Sequence, residues 1–239
     1  MVDNSLLERY LDVVLKGDRK LCRSIIEEAL QKGTLANSVY SLIIWPMMAE
    51  IDNLFRSGKI SPVQEHMATR INRSIVDQLQ NKLPRKVNKD KRIAICCTSP
   101  ELHELGAQMI ADLFESDGWD VRFLGGGLTN DDILEFTNRY NPDILLIYGT
   151  EPKQAPDIRR LIDTIKGINA HPDMKILVSG GLFNRAEGLW EEIGADMFAA
   201  TAVEAVQVAS AGEPAEPAIR TINRRKRKSQ KETKQSTES

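Results

Sequence analysis

The sequence predicts an α/β protein: an N-terminal four-helix bundle, then a doubly wound, five-stranded parallel sheet. Three observations predict it. Residues 1–83 carry apolar positions at helical spacing, separated by short polar breaks. A polar, charged linker, 84–91, ends that pattern. From residue 92 short apolar runs alternate with amphipathic helical patterns, the order that builds a parallel sheet with helices on both faces. Five runs over this length predict a flavodoxin-like (Rossmann-like) domain across 92–211.

The bundle reads in order. Leu6, Leu7, Tyr10, Leu11, Val14 and Leu15 share one helical face. Gly17-Asp18 breaks the run, and Asp18 suits the cap of a second helix carried by Leu21, Cys22, Ile25, Ile26, Ala29 and Leu30. Gly33 ends it. A third helix covers about 35–57, with Val39, Leu42, Ile43, Met47, Ile51, Leu54 and Phe55 inward and a kink at Pro46. Ser61-Pro62-Val63-Gln64 starts a fourth, with Ser as cap, Pro in the first turn and Gln at the third position. Val63, Met67, Ile71, Ile75 and Leu79 are its predicted core face.

Strands are expected at 92–97, 120–124, 143–148, 175–179 and 196–199, with helices near 104–117, 130–139, 155–167, 185–192 and 202–210. From Gly212 the chain is polar and then basic, with Arg220, Arg224, Arg225, Lys226, Arg227 and Lys228 and almost no apolar anchor. That composition predicts a disordered tail over 212–239, capable at most of weak electrostatic contact with nucleic acid or an acidic partner.

Composition narrows the function. At 239 residues the chain is long enough for real cores, and a net charge of −2 excludes a general polyanion binder. Three cysteines, Cys22, Cys96 and Cys97, form neither a disulfide framework nor a CxxC metal pattern. No apolar run approaches ~20 residues, and the start is not a signal peptide, so a cytoplasmic protein is expected.

The candidate site gathers where strands end. After the first strand comes Thr98-Ser99-Pro100-Glu101-Leu102-His103-Glu104-Leu105-Gly106. Glu101 suits one ring nitrogen of His103, leaving the other for a metal, and Gly106 admits close approach of a ligand to the backbone. Gly125-Gly126-Gly127 follows the second strand, Tyr148-Gly149-Thr150 the third, and Gly180-Gly181 the fourth. Together these leave side-chain-free space beside a histidine, which suits a flat, bulky ligand. Neither GxGxxG nor a P-loop occurs, which argues against the rival reading of a nucleotide site.

These loops resemble the cobalamin-binding domain family, which carries (D/E)xHxxG, SxL and GG loops in this order. Here they read Glu101-x-His103-x-x-Gly106, Tyr148-x-Thr150 and Gly180-Gly181. The N-terminal bundle looks like the helical cap over the corrin ring in methionine synthase and its relatives. The resemblance implies cobalamin bound base-off, with His103 as lower cobalt ligand and the nucleotide tail descending beside 148–150 and 180–181. Tyr148 and Thr150 depart from the serine and leucine of the SxL loop, and the bulk of Tyr148 bears on the tail pocket.

Two branches share this architecture. Cobalamin-dependent photoreceptor regulators carry Trp-x9-Glu-His in the cap; here Glu65 and His66 are in register and Phe55 stands at the tryptophan position. Trp45, ten residues earlier, is not taken as its replacement. On this reading adenosylcobalamin sits against Phe55, Glu65 and His66, and His66 takes the cobalt from above after photolysis. The cap starts almost at Met1, with no helix-turn-helix before it, so such a sensor is expected to act through a protein partner or weakly through the basic tail, with photolysis changing its partner or its homo-oligomeric state. The alternative is a corrinoid carrier, holding methylcobalamin for a methyltransferase system. Neither form is an enzyme alone. An adenosylcobalamin mutase subunit would need a separate substrate barrel.

Overall fold

The computed structural model describes residues 4–97 and 104–211. The N-terminal region forms α1 (Asn4–Leu15), α2 (Arg19–Gln31), α3 (Ala36–Val39), α4 (Trp45–Arg56) and α5 (Pro62–Leu79). α3 and α4 are one rod joined through a π-helical turn, Tyr40–Ile44, so the bundle has the four expected members. Asp18 caps α2 by accepting from the Leu21 amide, and Ser61 and Gln64 form a reciprocal capping box on α5.

The π turn is the structural answer to Pro46. Proline has no N–H for the carbonyl four residues back, and its ring crowds that carbonyl. The chain widens one turn instead, and the Trp45 amide donates to the Tyr40 carbonyl. Val39, Ile43, Met47 and Ile51 are buried as expected. Leu42 and Phe55, expected inward, are exposed: Leu42 lies within the wider turn, and Phe55 faces the cavity between bundle and sheet. Val63 and Met67 are exposed too. The first turns of α5 reach past the bundle core; Met67 lies against the turn at Gly17, and the apolar inward stripe begins at Ala68.

The second region has β1 (Arg92–Cys97), β2 (Asp120–Gly125), β3 (Ile144–Tyr148), β4 (Lys175–Ser179) and β5 (Met197–Ala199). All pairings are parallel, in the order β2-β1-β3-β4-β5. The helices are α6 (Leu105–Ser116), α7 (Asn130–Tyr140), α8 (Ala155–Ile168), α9 (Gly181–Arg185), α10 (Leu189–Glu192) and α11 (Ala202–Ala211). The helix expected over 185–192 is broken into α9 and α10, with Gly188 at φ 80° between them. Order reversal between β1 and β3 makes a switch point there, the place where open sheets hold ligands.

Two cores flank the sheet. One gathers Ile133, Ile158, Leu161 and Ile162 from α7 and α8 over Cys96, Ile147 and Val178. The other is continuous from the bundle through α6 and α11 to Ile95, Cys97, Leu146 and Tyr148. Adjacent Cys96 and Cys97 thus point into different cores, as strand alternation requires. Segment 84–91 runs along the end of α6, with Lys86 and Lys89 amides donating to the Ser116 and Gly118 carbonyls. Among the described residues no helix is long and apolar enough to cross a membrane.

Candidate functional site

A cavity of about 460 Å³ lies between the bundle and the C-terminal edge of the sheet. That volume is in the range of small-molecule sites, roughly 300–1,000 Å³. α4 supplies one wall with Trp45, Met48, Asp52, Phe55 and Arg56, spaced as one helical face. α5 supplies Glu65, Thr69 and Asn72. The strand ends and the helix starts after them supply Leu105, Gly106, Tyr148, Thr150, Gly180 and Gly181.

The sheet edge is built for close approach. Gly180 adopts φ 105°, and a Cβ there would overlap the Gly149 carbonyl oxygen, so this position requires glycine. At Gly106 the reason is a side chain. Tyr148, at the end of β3, lays its hydroxyl where a Cβ on residue 106 would stand. Tyr148 is only 7% exposed, and burial pushes its phenol far above the usual range. The ring therefore forms a neutral floor under the cavity, locked against the first turn of α6.

Charged groups bridge bundle and sheet at the rim. Asp52 accepts from Arg56 Nε at 2.8 Å and pairs with Arg185 Nη1 at 3.0 Å. Both arginines also donate to the Thr150 carbonyl. Partial burial, then the neighbouring Arg56, lower the Arg185 pKa from its ordinary value. Behind the cavity the buried Glu104 accepts from the Gly126 amide at 3.0 Å and from Arg73 at 3.2 Å.

Of the residues the sequence singled out, Phe55, Glu65, Gly106, Tyr148, Thr150, Gly180 and Gly181 converge on this cavity. His66, Gly125 and Gly126 do not line it. The His66 side chain is 56% exposed, with Nε2 3.6 Å from Glu65. Glu65 is turned inward and accepts from the Thr69 hydroxyl at 3.1 Å. Gly125 and Gly126 instead lie against the Glu104 carboxylate. Glu101 and His103 lie outside the described residues, as does the tail over 212–239.

Sequence reasoning missed Asn72, Thr69, Asp52 and Arg185. The first two had a signal: polar residues on a helical face that should be apolar. It also set aside Trp45, which lines the cavity once the π turn has reset the face of α4.

Two family models match the chain, both described as B12 binding domains, one over residues 6–80 and one over 91–209. The chain belongs to the B12-binding family. Its relatives include monomethylamine corrinoid protein 1 of Methanosarcina mazei, 21% identical over 212 residues, spanning 86% of this chain and 96% of that one. Dimethylamine corrinoid protein 1 of Methanosarcina acetivorans is 25% identical over 209 residues, with the same coverage. The solved structure of the Methanosarcina barkeri monomethylamine corrinoid protein superposes with a TM-score of 0.74 at 20% identity. It covers 87% of this chain and 98% of that one, and it confirms the fold.

Proposed function

We propose that the protein binds cobalamin in the cavity between bundle and sheet and serves as a corrinoid carrier that hands methyl groups between partner enzymes. The observation that carries this is the joining of two B12-binding regions around one cavity. Full-length likeness to methylamine corrinoid proteins favours the carrier over the light-responsive sensor. The placement of His66 points the same way, since its half-exposed imidazole does not line the cavity.

The residues present fit the cofactor. A flat macrocycle needs wide walls without protruding side chains on one side, and Gly106, Gly180 and Gly181 provide that. Its other face needs cover, which Trp45, Met48 and Phe55 supply. When bound, the cobalt centre supplies the methyl-transfer chemistry. In this reading His103 would ligate the cobalt, and Glu104, next in the chain, ties α5 to the loop after β2. Tyr148 limits how deeply an appended nucleotide can reach below the ring.

Transfer of label tests the reading. The cobalamin-loaded, reduced protein is incubated with a methylamine methyltransferase and radiolabelled monomethylamine or dimethylamine, then gel-filtered. Retention of a methyl label on the protein supports the carrier. No label from either amine, together with a light-driven change in the oligomeric state of adenosylcobalamin-loaded protein, would favour the sensor.

A further inference from the structure

One buried side chain beside the cavity is only half matched by the fold. Asn72 is 0% exposed on α5 and borders the cavity. Its Oδ1 accepts from the Tyr10 hydroxyl of α1 at 2.7 Å. Its Nδ2, a double donor, has no hydrogen-bond partner among the described residues. Leaving a buried donor unmatched is destabilising, so an unmatched one in an otherwise well-paired helix calls for a cause.

The surroundings indicate one. Glu65, Thr69 and Asn72 stand at i, i+4 and i+7 on α5, one face of the helix, and all three border the cavity. Further along α5 the buried positions are apolar: Ile75, Val76 and Leu79. Thr69 spends its hydroxyl proton on Glu65. Along this polar stripe Asn72 is therefore the group with donors to spare. Tyr10 keeps it oriented: it is fully buried, and desolvation pushes its phenol far up, so it stays a donor and holds the amide oxygen away from the ligand.

We infer that Asn72 is a ligand-recognition residue, its amide, aligned by Tyr10, donating to an amide carbonyl on the rim of the corrinoid. The inference rests on the corrinoid reading above and assigns the cap a polar contact in addition to apolar cover. It explains why the stripe is polar where core packing alone would select leucine or isoleucine.

The test compares the full chain with Asn72→Leu, Tyr10→Phe and the double variant, by equilibrium dialysis with methylcobalamin in dim light. Thermal unfolding of each cofactor-free protein is measured in parallel. Replacing both polar partners by apolar groups of similar shape is nearly neutral for folding. The double variant is thus expected to melt within a few degrees of the unaltered chain, yet to bind methylcobalamin roughly tenfold more weakly. Tyr10→Phe alone, which frees the amide to rotate, is expected to give an intermediate loss of affinity. Unchanged affinity in the Asn72 variants would overturn the inference. So would an affinity loss matched by a large drop in melting temperature of both the single and double variants, which marks a structural asparagine. Failure of the unaltered chain to bind methylcobalamin would instead overturn the corrinoid reading, and this inference with it.

Discussion

The helical bundle meets the sheet region in two places, and they are held by different physics. At the α5/α6 end the apolar core is continuous, and buried Asp112 joins three elements. It accepts from Gln80 at 2.9 Å and lies 2.9 Å from the Tyr40 hydroxyl, whose single proton is shared between Asp112 and the Val76 carbonyl at 3.0 Å. At the α4 end the link is ionic, Asp52 with Arg56 and Arg185, and each of these side chains is more than a third exposed. Desolvated contacts of the first kind resist separation. Exposed ion pairs contribute little and weaken with salt. The cavity lies beside the weaker link.

Breaking the buried end is expected to have the largest effect. Asp112→Ala leaves Gln80 without its acceptor and Tyr40 with the Val76 carbonyl alone, and should cost about 3 kcal/mol in a urea unfolding titration. A loss as small as that of a surface variant would contradict the contrast between the two ends. Gly106→Ala comes next. The added methyl must displace the buried Tyr148 ring, at about 2 kcal/mol. The same substitution made on a Tyr148→Ser background should cost much less, and a double-mutant cycle without coupling would show that Tyr148 is not the obstacle.

Titration sharpens the comparison further. Burial, the dominant cause, raises the Asp112 pKa to about 6, well above its unfolded value. Between roughly pH 4 and pH 6 the folded chain therefore holds a proton that the unfolded chain has released. Stability should fall as pH rises through that window, by up to about 3 kcal/mol, and level off above it. Asp112→Asn should remove this component when unfolding is followed at several pH values; a profile unchanged by the substitution would contradict it. The smallest effect belongs to the rim. Asp52→Asn should lower stability by less than about 1 kcal/mol, and added salt should narrow that difference.

Much of this was legible in the sequence because the signals were local. Ser61 and Gln64 announce the start of α5, and the alternation after Arg92 announces a parallel sheet. Gly106 and the glycines after β4, Gly180 and Gly181, placed the cavity edge. What the sequence concealed depends on contacts distant along the chain or on one altered turn. Pro46 signals a disturbance, but whether it becomes a kink or a π turn is decided by packing, and that choice put Leu42 outside and Trp45 on the cavity. His66 follows Glu65 directly, and neighbours in a helix point about 100° apart, so one carboxylate can face the cavity while the imidazole beside it faces out. Neither the Asp52–Arg185 pair nor the Tyr10–Asn72 pair has a sequence signature, because their partners are far apart in the chain.

Electron paramagnetic resonance of the cobalt(II) form tests most directly whether a protein imidazole holds the cofactor. The protein is produced with ¹⁵N-labelled histidine and loaded with unlabelled cobalamin. Coordination by His103 predicts doublet nitrogen splitting on the cobalt lines, lost in His103→Ala. A triplet, the mark of the vitamin's own ¹⁴N base, or a doublet that survives the substitution, would contradict it.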